Sequence, residues 1–331
     1  MNVQKALILT AREVRDLLTI DECIEAVELA FRLYGERKAA PPTLLSMHTG
    51  SGSFHIKAGL LELSKPYFAA KVNGNFPENR AHFDLPTIQG VIILCDAECG
   101  SPLAVMDSGE ITSLRTGAAT AVAAKYLARH NSEVVTICGC GNQGRIQLKA
   151  LSRVCHIQTV FAYDKSKEQA LSFARSLSGD LAIPVTLSSD LSAAVRQSDI
   201  CVTCTTSREA LLSFEDVTPG TFIAAAGADN PEKQELQPEL IAKSKVVADV
   251  LEQCAVMGDL HHALKADAIT LADVHAELGE VVAGKKPGRE SDDEIIVFDS
   301  TGMALQDVAA ASVVYEKARH LGVGFRLGFA A

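Results

Sequence analysis

Apolar and polar residues follow two different patterns in the two parts of the chain. In the first part, Ile24, Val27 and Phe31 recur at helical spacing, which predicts a helix over residues 21–38. Further along, Gly, Pro and Asn separate short apolar runs that lack helical periodicity, which favours an antiparallel or mixed sheet. The other elements predicted here are a strand over residues 6–10, a helix over 11–18, and strands over 53–61, 67–73, 88–96 and 102–106.

From residue 133 onward, short β-branched runs alternate with helical segments. Such alternation is typical of a parallel, doubly wound sheet. Residues 285–293 are charged and contain glycine, so we expect an exposed loop there. The predicted strands are 134–138, 159–163, 184–187, 200–203, 221–225, 245–249 and 294–298, and long helices are predicted over 112–129 and 303–321.

A glycine-rich turn follows the first of these later strands. The sequence GCGNQG at 139–144 separates the apolar run 134–138 from a good helix pattern. In a strand–turn–helix context, G-x-G-x-x-G binds the pyrophosphate of a dinucleotide. Gly139 permits the tight turn, Gly141 lets the backbone approach the phosphates, and Gly144 lets the helix close on the strand. The helix N-terminus then offers N–H groups to the phosphates.

The next predicted strand, 159–163, ends at Asp164. An acid about 20 residues after the glycines is the expected ligand of the ribose 2′-hydroxyl group. Its carboxylate would repel the 2′-phosphate of NADP and therefore favours NAD, although Lys165 and Lys167 could offset that repulsion. The alternative interpretation is a glycine-rich turn with a capping Asp.

Composition and charge limit the classes of function. The 331 residues suffice for two domains, and 47% hydrophobic with 22% charged residues is usual for a globular protein. The net charge of −10 argues against nucleic acid or an anionic membrane as a partner. No apolar run reaches the length of a membrane span, and the N-terminal residues lack the features of a signal peptide. The nine cysteines lie mostly in apolar runs and are expected to be reduced, which favours a cytoplasmic protein.

Several motifs together resemble the ornithine cyclodeaminase/mu-crystallin family of NAD(P)-dependent enzymes. They cover the chain nearly end to end and keep the order of the family. The motifs are KVNGN at 71–75, LPT at 85–87, PLAVMD at 102–107, TSLRTGAA at 112–119, the glycine turn, GADNP at 227–231, AELGEV at 276–281 and FDSTGMA at 298–304.

This resemblance implies an α/β fold in which a Rossmann-type doubly wound parallel sheet is inserted in an α+β substrate-binding and dimerisation domain. Residues 1–115 and 303–331 would form the latter domain and residues 116–302 the NAD-binding domain, with the active site in the cleft between them. The N-terminal strands have apolar alternate positions and no evident covering helices, so a homodimer is also expected from the pattern itself.

The resemblance assigns roles to basic residues in hydride transfer between the α-carbon of an amino or imino acid and nicotinamide. Arg115 matches the arginine that holds the α-carboxylate, for which a guanidinium fork is suited. Lys71 matches the substrate lysine and lies in an apolar strand, where it needs a partner such as a substrate carboxylate or Asp229. Lys57 is a second candidate. The alternatives are a surface arginine at a helix start and a lysine whose head reaches solvent.

Asp229 follows a predicted buried strand and a glycine turn, at the sheet edge where open α/β folds bind ligands. The family's cyclodeaminases carry their catalytic aspartate at this position, where it can accept a proton from the substrate amine or an attacking nucleophile. An Asx turn before Pro231 is the alternative. Ketimine reductases resembling mu-crystallin lack this aspartate.

Further polar residues match positions that contact cofactor or substrate in the family. Thr87 and Thr301 are assigned to the substrate. The residues assigned to the cofactor are Asn142, Gln143, Thr205, Lys233 and Ser300, together with Gly139, Gly141, Gly144 and Asp164.

Two features depart from the family or suggest other chemistry. Many members carry an arginine just after Pro-Pro, whereas this chain has Thr43, so Arg115 and the lysines would bind more of the carboxylate. Cys201 and Cys204 have C-x-x-C spacing, but they lie in a predicted core strand without a second pair, so no metal site is predicted. His261-His262 is interpreted as a polar pair at a helix end.

These observations predict an NAD-dependent enzyme that acts on a small α-amino acid. The leading interpretation is an ornithine cyclodeaminase-like reaction that converts L-ornithine to L-proline and ammonia without net turnover of NAD. An alanine dehydrogenase-like enzyme or a cyclic imine reductase is the alternative. A cofactor-binding protein without turnover is a second alternative, against which the joint presence of Lys71, Arg115 and Asp229 argues.

Overall fold

The computed structural model describes residues 5–329. The chain forms two compact units, of which the first runs to Arg115 and resumes at Met303, and the second comprises Thr116–Gly302. The elements up to residue 127 are β1 (Ala6–Leu9), α1 (Ala11–Leu17), α2 (Ile20–Gly35), β2 (Thr43–His48), β3 (Ser53–Glu62), β4 (Pro66–Asn75), α3 (Asn79–Phe83), β5 (Ile88–Asp96), β6 (Pro102–Asp107) and α4 (Ser108–Leu127).

The remaining elements mostly alternate between strand and helix, as the sequence predicts. They are β7 (Val134–Cys138), α5 (Asn142–Leu151), β8 (Thr159–Tyr163), α6 (Lys167–Leu181), β9 (Val185–Leu187), α7 (Leu191–Val195), β10 (Ile200–Thr203), β11 (Phe222–Ala225), α8 (Pro238–Ala242), β12 (Lys245–Ala248), α9 (Leu251–Met257), α10 (Asp259–Lys265), β13 (Ala276–Glu277), α11 (Leu278–Val282), β14 (Ile296–Asp299), α12 (Ala304–Leu321) and β15 (Phe325–Leu327).

Capping boxes fix the starts of the first two helices. The Thr10 hydroxyl accepts a hydrogen bond from the Glu13 N–H, while the Glu13 carboxylate accepts one from the Thr10 N–H; Thr19 and Glu22 repeat this arrangement before α2. Helix α2 ends at Gly35, three residues before the predicted end, and Arg37 beyond it has a positive φ of 61°. The helix therefore ends before Pro41 and Pro42 are reached.

The sheet of the first unit is mixed and has the strand order β15-β1-β6-β5-β4-β3-β2. Strands β1 and β6 are parallel, and the other neighbours are antiparallel. The prediction of an antiparallel or mixed sheet is thus confirmed. It missed β2 and β15, because β2 lacks a clear alternation and β15 has only three residues.

The two faces of this sheet differ in character. Helix α12 packs on one face against β3 and β4, and a Cβ at Gly59 would lie 2.8 Å from the Leu305 side chain, so this glycine permits the close approach. On the other face, cross-strand partners present apolar side chains that remain partly exposed. We call this surface the open apolar face; it comprises Leu45, Met47, Phe54, Phe68, Val91 and Ile93.

The sheet of the second unit is parallel throughout, with the strand order β13-β12-β14-β11-β10-β7-β8-β9. Every residue of β10, β11 and β14 is buried, as expected for a sheet covered by helices on both faces. The predicted parallel sheet of Rossmann type is confirmed; the two-residue strand β13 was not predicted. Within residues 5–329, no helix is long and apolar enough to cross a membrane.

Candidate functional sites

The glycine turn joins β7 to α5 at the carboxyl edge of the parallel sheet. Gly139 has a φ of +104°, a conformation that residues with a side chain rarely adopt. A Cβ at Gly144 would lie 2.1 Å from the Gly139 carbonyl oxygen, so only glycine lets α5 close on the turn. At Gly141, by contrast, a Cβ would meet no atom within 4 Å. The turn is therefore tightly packed at both ends and open in the middle.

The residues at the start of α5 fit a dinucleotide phosphate. Gly141 is the N-cap residue and supplies no side-chain acceptor to the first N–H groups of the helix. These N–H groups and the positive end of the helix dipole suit an anionic ligand. Asn142 and Gln143 occupy the first two helical positions, Asn142 exposed and Gln143 half-buried.

Asp164 lies directly after β8 and next to this turn. Its Oδ2 accepts a hydrogen bond of 2.8 Å from the Cys140 N–H, and its Oδ1 accepts one of 2.8 Å from the Ser166 N–H. Strand β7 has β8 on one side and β10 on the other, so the strand order reverses here. Open α/β sheets bind their ligands at such switch points.

A buried carboxylate that the sequence analysis missed connects two loops at this edge. Glu235 Oε1 accepts hydrogen bonds from the backbone N–H (2.6 Å) and hydroxyl (2.7 Å) of Thr205, and Oε2 accepts one of 2.9 Å from the Gly227 N–H. Burial raises the pKa of Glu235, although these donors act in the opposite direction. Glu235 therefore holds together the loops that follow β10 and β11. Its sequence context, Gln-Glu-Leu, contains no signal for this role.

Further buried carboxylates hold the neighbouring segments. Asp259 accepts hydrogen bonds from the N–H groups of Glu235 and Leu236, and burial together with the nearby Glu235 raises its pKa to about 7. Asp249 accepts hydrogen bonds of 3.2 Å from both the Ser300 and Thr301 hydroxyls, just after β14. The structure thus places these two predicted contact residues side by side, bound to a carboxylate of their own unit.

Asp229 and Lys233, two other predicted site residues, form an ion pair with each other. Lys233 Nζ lies 2.6 Å from Asp229 Oδ1, in the loop that follows β11. The Asp229 side chain is about half exposed. The carboxylate beside Lys71 belongs to Asp307, which is neither of the two partners that the sequence analysis offered, and Asp229 pairs with Lys233.

Lys71 lies on the face of β4 that α12 covers and is only 3% exposed. Its Nζ is 2.8 Å from Asp307 Oδ1 and 2.7 Å from Oδ2. Burial lowers the pKa of Lys71 to about 7; Asp307 opposes this shift, while Arg115 and Lys57 add to it. The alternative of a lysine whose head reaches solvent is therefore excluded. Asp307 was missed because an acid in the first turn of a helix is common whether or not it is buried.

Arg115 belongs to the same cluster and is also buried. Its Nε lies 3.2 Å from Asp307 Oδ1, and its Nη1 donates a hydrogen bond of 3.0 Å to Gln306 Oε1. Lys57 is the direct cross-strand neighbour of Lys71. The cluster of Lys57, Lys71, Arg115 and Asp307 thus brings three basic groups around one carboxylate, which suits the binding of a further carboxylate.

Thr87 is not part of this cluster. It is exposed and lies just before β5, where its carbonyl oxygen accepts a hydrogen bond of 2.8 Å from the Phe76 N–H.

Cys201 is buried in β10 and Cys204 follows that strand, with its Sγ 3.3 Å from the Gly139 carbonyl oxygen. His262 bonds to the Lys233 carbonyl oxygen and His261 to that of Ala255. Among residues 5–329, no group of three or more His, Cys, Asp or Glu could hold a metal ion.

A parallel sheet with a glycine turn open at its centre and an acid beside it defines a Rossmann-type dinucleotide-binding protein. The profile of the ornithine cyclodeaminase/mu-crystallin family matches residues 4–321, and the chain belongs to this family. The resemblance seen in the sequence motifs is thereby confirmed.

Relatives within the family share most of the chain. Alanine dehydrogenase of Archaeoglobus fulgidus is 45% identical over 325 residues, 98% of this chain and 99% of the relative. The structure of an archaeal alanine dehydrogenase dimer with bound NAD superposes with a TM-score of 0.93 and 45% identity, covering 98% of this chain and 100% of that one. The structure of the Delta(1)-pyrroline-2-carboxylate reductase of Thermococcus litoralis, in complex with NADH and L-proline, superposes with a TM-score of 0.91 at 36% identity. It covers 96% of this chain and 99% of that one.

A cyclodeaminase is less similar. The structure of a probable ornithine cyclodeaminase from Bordetella pertussis Tohama I superposes with a TM-score of 0.86 at 27% identity, covering 96% of this chain and 99% of that one. The comparisons therefore favour the dehydrogenase and imine reductase alternative over the cyclodeaminase interpretation.

Proposed function

We propose that this protein is an NAD-dependent oxidoreductase of small α-amino acids, with an alanine dehydrogenase-like reaction as the first candidate. The observation that carries the proposal is the buried cluster of Lys57, Lys71 and Arg115 around Asp307, because it offers basic groups to an α-carboxylate in a place shielded from water. The 45% identity to an alanine dehydrogenase over nearly the whole chain supports the choice of reaction.

In this proposal the second unit binds NAD. The N–H groups at Gly141, Asn142 and Gln143 hold the pyrophosphate, and Asp164 holds the ribose. The further contacts proposed are Gly139, Gly144, Thr205, Lys233 and Ser300. When bound, the nicotinamide supplies the acceptor or donor of the hydride. The open space at Gly141 and the lack of a side-chain cap on α5 support this assignment.

The first unit binds the amino acid. Arg115 holds the α-carboxylate with its guanidinium fork, and Lys71 and Lys57 add positive charge; Thr87, and Thr301 of the second unit, are further substrate contacts. Lys71 Nζ, with a pKa near 7, can both take up and release a proton at neutral pH, which suits proton transfer to or from the substrate nitrogen. Asp229 is the second candidate for a proton acceptor. After hydride leaves the α-carbon, water hydrolyses the imine to a 2-oxo acid and ammonia.

A cyclic imine reductase is the second candidate function. The 36% identity to Delta(1)-pyrroline-2-carboxylate reductase, whose structure contains NADH and L-proline, supports it. The same carboxylate-binding residues would serve, since a cyclic imino acid carries the same α-carboxylate. In that reaction no ammonia is released, because the ring nitrogen stays bound to the α-carbon.

Assembly as a homodimer is part of the proposal. The open apolar face leaves side chains such as Met47 and Val91 exposed by 56% and 42%, which favours a partner surface. The related archaeal alanine dehydrogenase is a dimer. Light scattering at micromolar concentration should give twice the mass of the chain, and Val91→Glu should shift it toward the monomer. Leu171→Glu, which alters an exposed leucine of α6, is the matched control. A monomeric parent protein would refute this assembly.

The function is tested by measuring NADH formation and ammonia release together for a panel of L-amino acids with NAD. An alanine dehydrogenase-like enzyme forms NADH and ammonia in equal amounts from L-alanine. A cyclic imine reductase forms NADH without ammonia from L-proline. An ornithine cyclodeaminase releases ammonia from L-ornithine without net NADH. Absence of all three would leave a cofactor-binding protein and refute the proposal.

A further inference from the structure

Asp307 is a buried carboxylate to which the proposed reaction gives no role. It lies in the first turn of α12, where the helix dipole favours a negative charge, and it is 1% exposed. A carboxylate in such a place is costly unless other groups compensate its charge.

Two basic side chains share this carboxylate. Lys71 Nζ contacts both of its oxygens at 2.7–2.8 Å, and Arg115 Nε contacts Oδ1 at 3.2 Å. The preceding residue, Gln306, accepts a hydrogen bond of 3.0 Å from Arg115 Nη1. One turn of α12 therefore fixes both the ammonium group and the plane of the guanidinium group.

We propose that Asp307 is a positioning residue, which holds Lys71 and Arg115 in the arrangement that binds a substrate carboxylate and stabilises the protonated form of Lys71. The inference rests on the proposed function for its role in the reaction. The protonation of Lys71 can be measured without turnover.

Charged groups from three elements act on Lys71. Burial lowers the pKa of Lys71 most. The Asp307 carboxylate on α12 raises this pKa, whereas Arg115 on α4 and Lys57 on β3 lower it. Cys23 on α2 faces Asp307 and Arg115, but burial raises the pKa of its thiol to about 12, so it stays neutral at neutral pH. Among these groups Asp307 alone favours the charged lysine, and removing its charge should make Lys71 lose its proton at lower pH.

Asp307 itself remains ionised throughout the neutral range. Burial alone would raise its pKa, but Lys71 and Arg115 outweigh burial and bring the pKa below its ordinary value. The carboxylate can therefore act as a fixed negative charge while Lys71 gains or loses a proton.

The test is an NMR titration of protein labelled with ¹³C at the lysine Cε atoms, with the Lys71 signal assigned by its loss in Lys71→Gln. Lys71 should titrate near pH 7 in the parent protein and at least about one pH unit lower in Asp307→Asn. In the active enzyme, the same substitution should move the Lys71-dependent limb of the plot of kcat/KM against pH to lower pH. It should also raise KM for the amino acid about tenfold. An unchanged or higher midpoint in Asp307→Asn would overturn the proposal.

Two further variants separate this role from a general effect on the helix. Glu316→Gln removes another carboxylate of α12, which bonds to Tyr67 and Arg319, and should leave the Lys71 midpoint unchanged. Asp307→Glu keeps the charge and should restore the midpoint toward the parent value. If Asp307→Asn does not fold, a parent Lys71 midpoint of about 5–6, the range of buried lysines whose charge is not compensated, would still overturn the proposal. The expected titration in a protein that turns over no amino acid would refute the proposed function and support the link between Asp307 and Lys71.

Discussion

The Asp164 carboxylate accepts a 2.8 Å hydrogen bond from the Cys140 N–H, in the middle of the glycine turn. The end of β8 is thereby tied to the turn that follows β7. The acid is held beside Gly141, where the turn faces open space. This is the relation between glycines and acid that dinucleotide-binding folds use to hold pyrophosphate and ribose together.

The first prediction concerns the choice of cofactor. The parent protein should bind NADH more tightly than NADPH, because the Asp164 carboxylate repels a 2′-phosphate. Asp164→Ser should reduce the ratio of the two dissociation constants about tenfold or more, which is about 1.4 kcal/mol. Titrations of NADH and NADPH fluorescence measure both constants. Glu168→Ala removes an exposed carboxylate that bonds to Ser166 and should leave the ratio unchanged. Equal or tighter binding of NADPH by the parent would contradict the prediction.

The second prediction concerns the carboxylate clamp. Arg115→Lys keeps the positive charge but loses the planar fork that contacts both Asp307 and Gln306. We expect KM for the amino acid to rise about 10–100-fold, the value of one charge-assisted hydrogen bond, with turnover also reduced. Steady-state kinetics with saturating NAD measure both effects. Arg319→Lys, on the exposed side of α12, should change KM by less than about twofold. A parent-like KM in Arg115→Lys would show that another group binds the carboxylate.

A third prediction separates catalysis by Asp229 from a turn-forming role. Asp229→Asn keeps the size and the turn propensity of the side chain but removes its basicity. If Asp229 accepts a proton in the reaction, kcat should fall about 10²–10⁴-fold while NAD affinity changes little. Asp190→Asn, at the N-cap of α7, should keep full activity because Asn is an equally good cap. A rate within a few-fold of the parent for Asp229→Asn would leave proton transfer to Lys71.

Sequence patterns predicted the features that are local in the chain. The roles of Gly139, Gly144 and Asp164 depend on about 25 consecutive residues, so their spacing alone indicated the turn and the acid. The parallel sheet likewise follows from alternating strands and helices. The threonines that cap α1 and α2 carry the capping-box pattern and could have been found in the sequence.

Features that depend on distant partners were missed. Asp307 meets Lys71 across 236 positions, and nothing near either residue indicates the other. Glu235 is buried because the loops carrying Thr205 and Gly227 converge on it, although most of its neighbours in the sequence are polar. The same limit explains why Asp229 was offered as one possible partner of Lys71: both residues lie in family motifs, but the motifs do not specify which charges pair.

The fourth prediction concerns the pH dependence of stability. The pKa of Lys71 is about 7 in the folded chain and 10.5 for an ordinary lysine. Between these values the unfolded chain holds a proton that the folded chain lacks, so this residue should make the free energy of unfolding rise with pH from about 7 to about 10. Urea unfolding of the parent and Lys71→Met, at one protein concentration across this range, measures the effect. The free energy of unfolding of the parent minus that of the variant should increase with pH. A difference that stays constant with pH would contradict the lowered pKa of Lys71.

The last prediction tests whether Glu235 shapes the cofactor loops or only stabilises the sheet. In Glu235→Gln the amide oxygen can still accept from Thr205, but the amide NH₂ then faces the Gly227 N–H, and two donors meet in a buried place. This should lower the free energy of unfolding by about 1–3 kcal/mol. NAD affinity should also fall, because Thr205 borders the turn: a Cβ on Gly139 would lie 3.1 Å from its methyl group.

Asp199→Asn is the matched control for this variant. Asp199 accepts hydrogen bonds from the Glu133 and Val134 N–H groups, at the opposite edge of the same sheet. Its substitution should cost similar stability, measured by urea unfolding, and leave NAD affinity unchanged. Suppose instead that both variants lose stability and both keep the parent affinity for NAD. Glu235 would then be a structural carboxylate whose hydrogen bonds to Thr205 and Gly227 do not decide how the loops meet the cofactor.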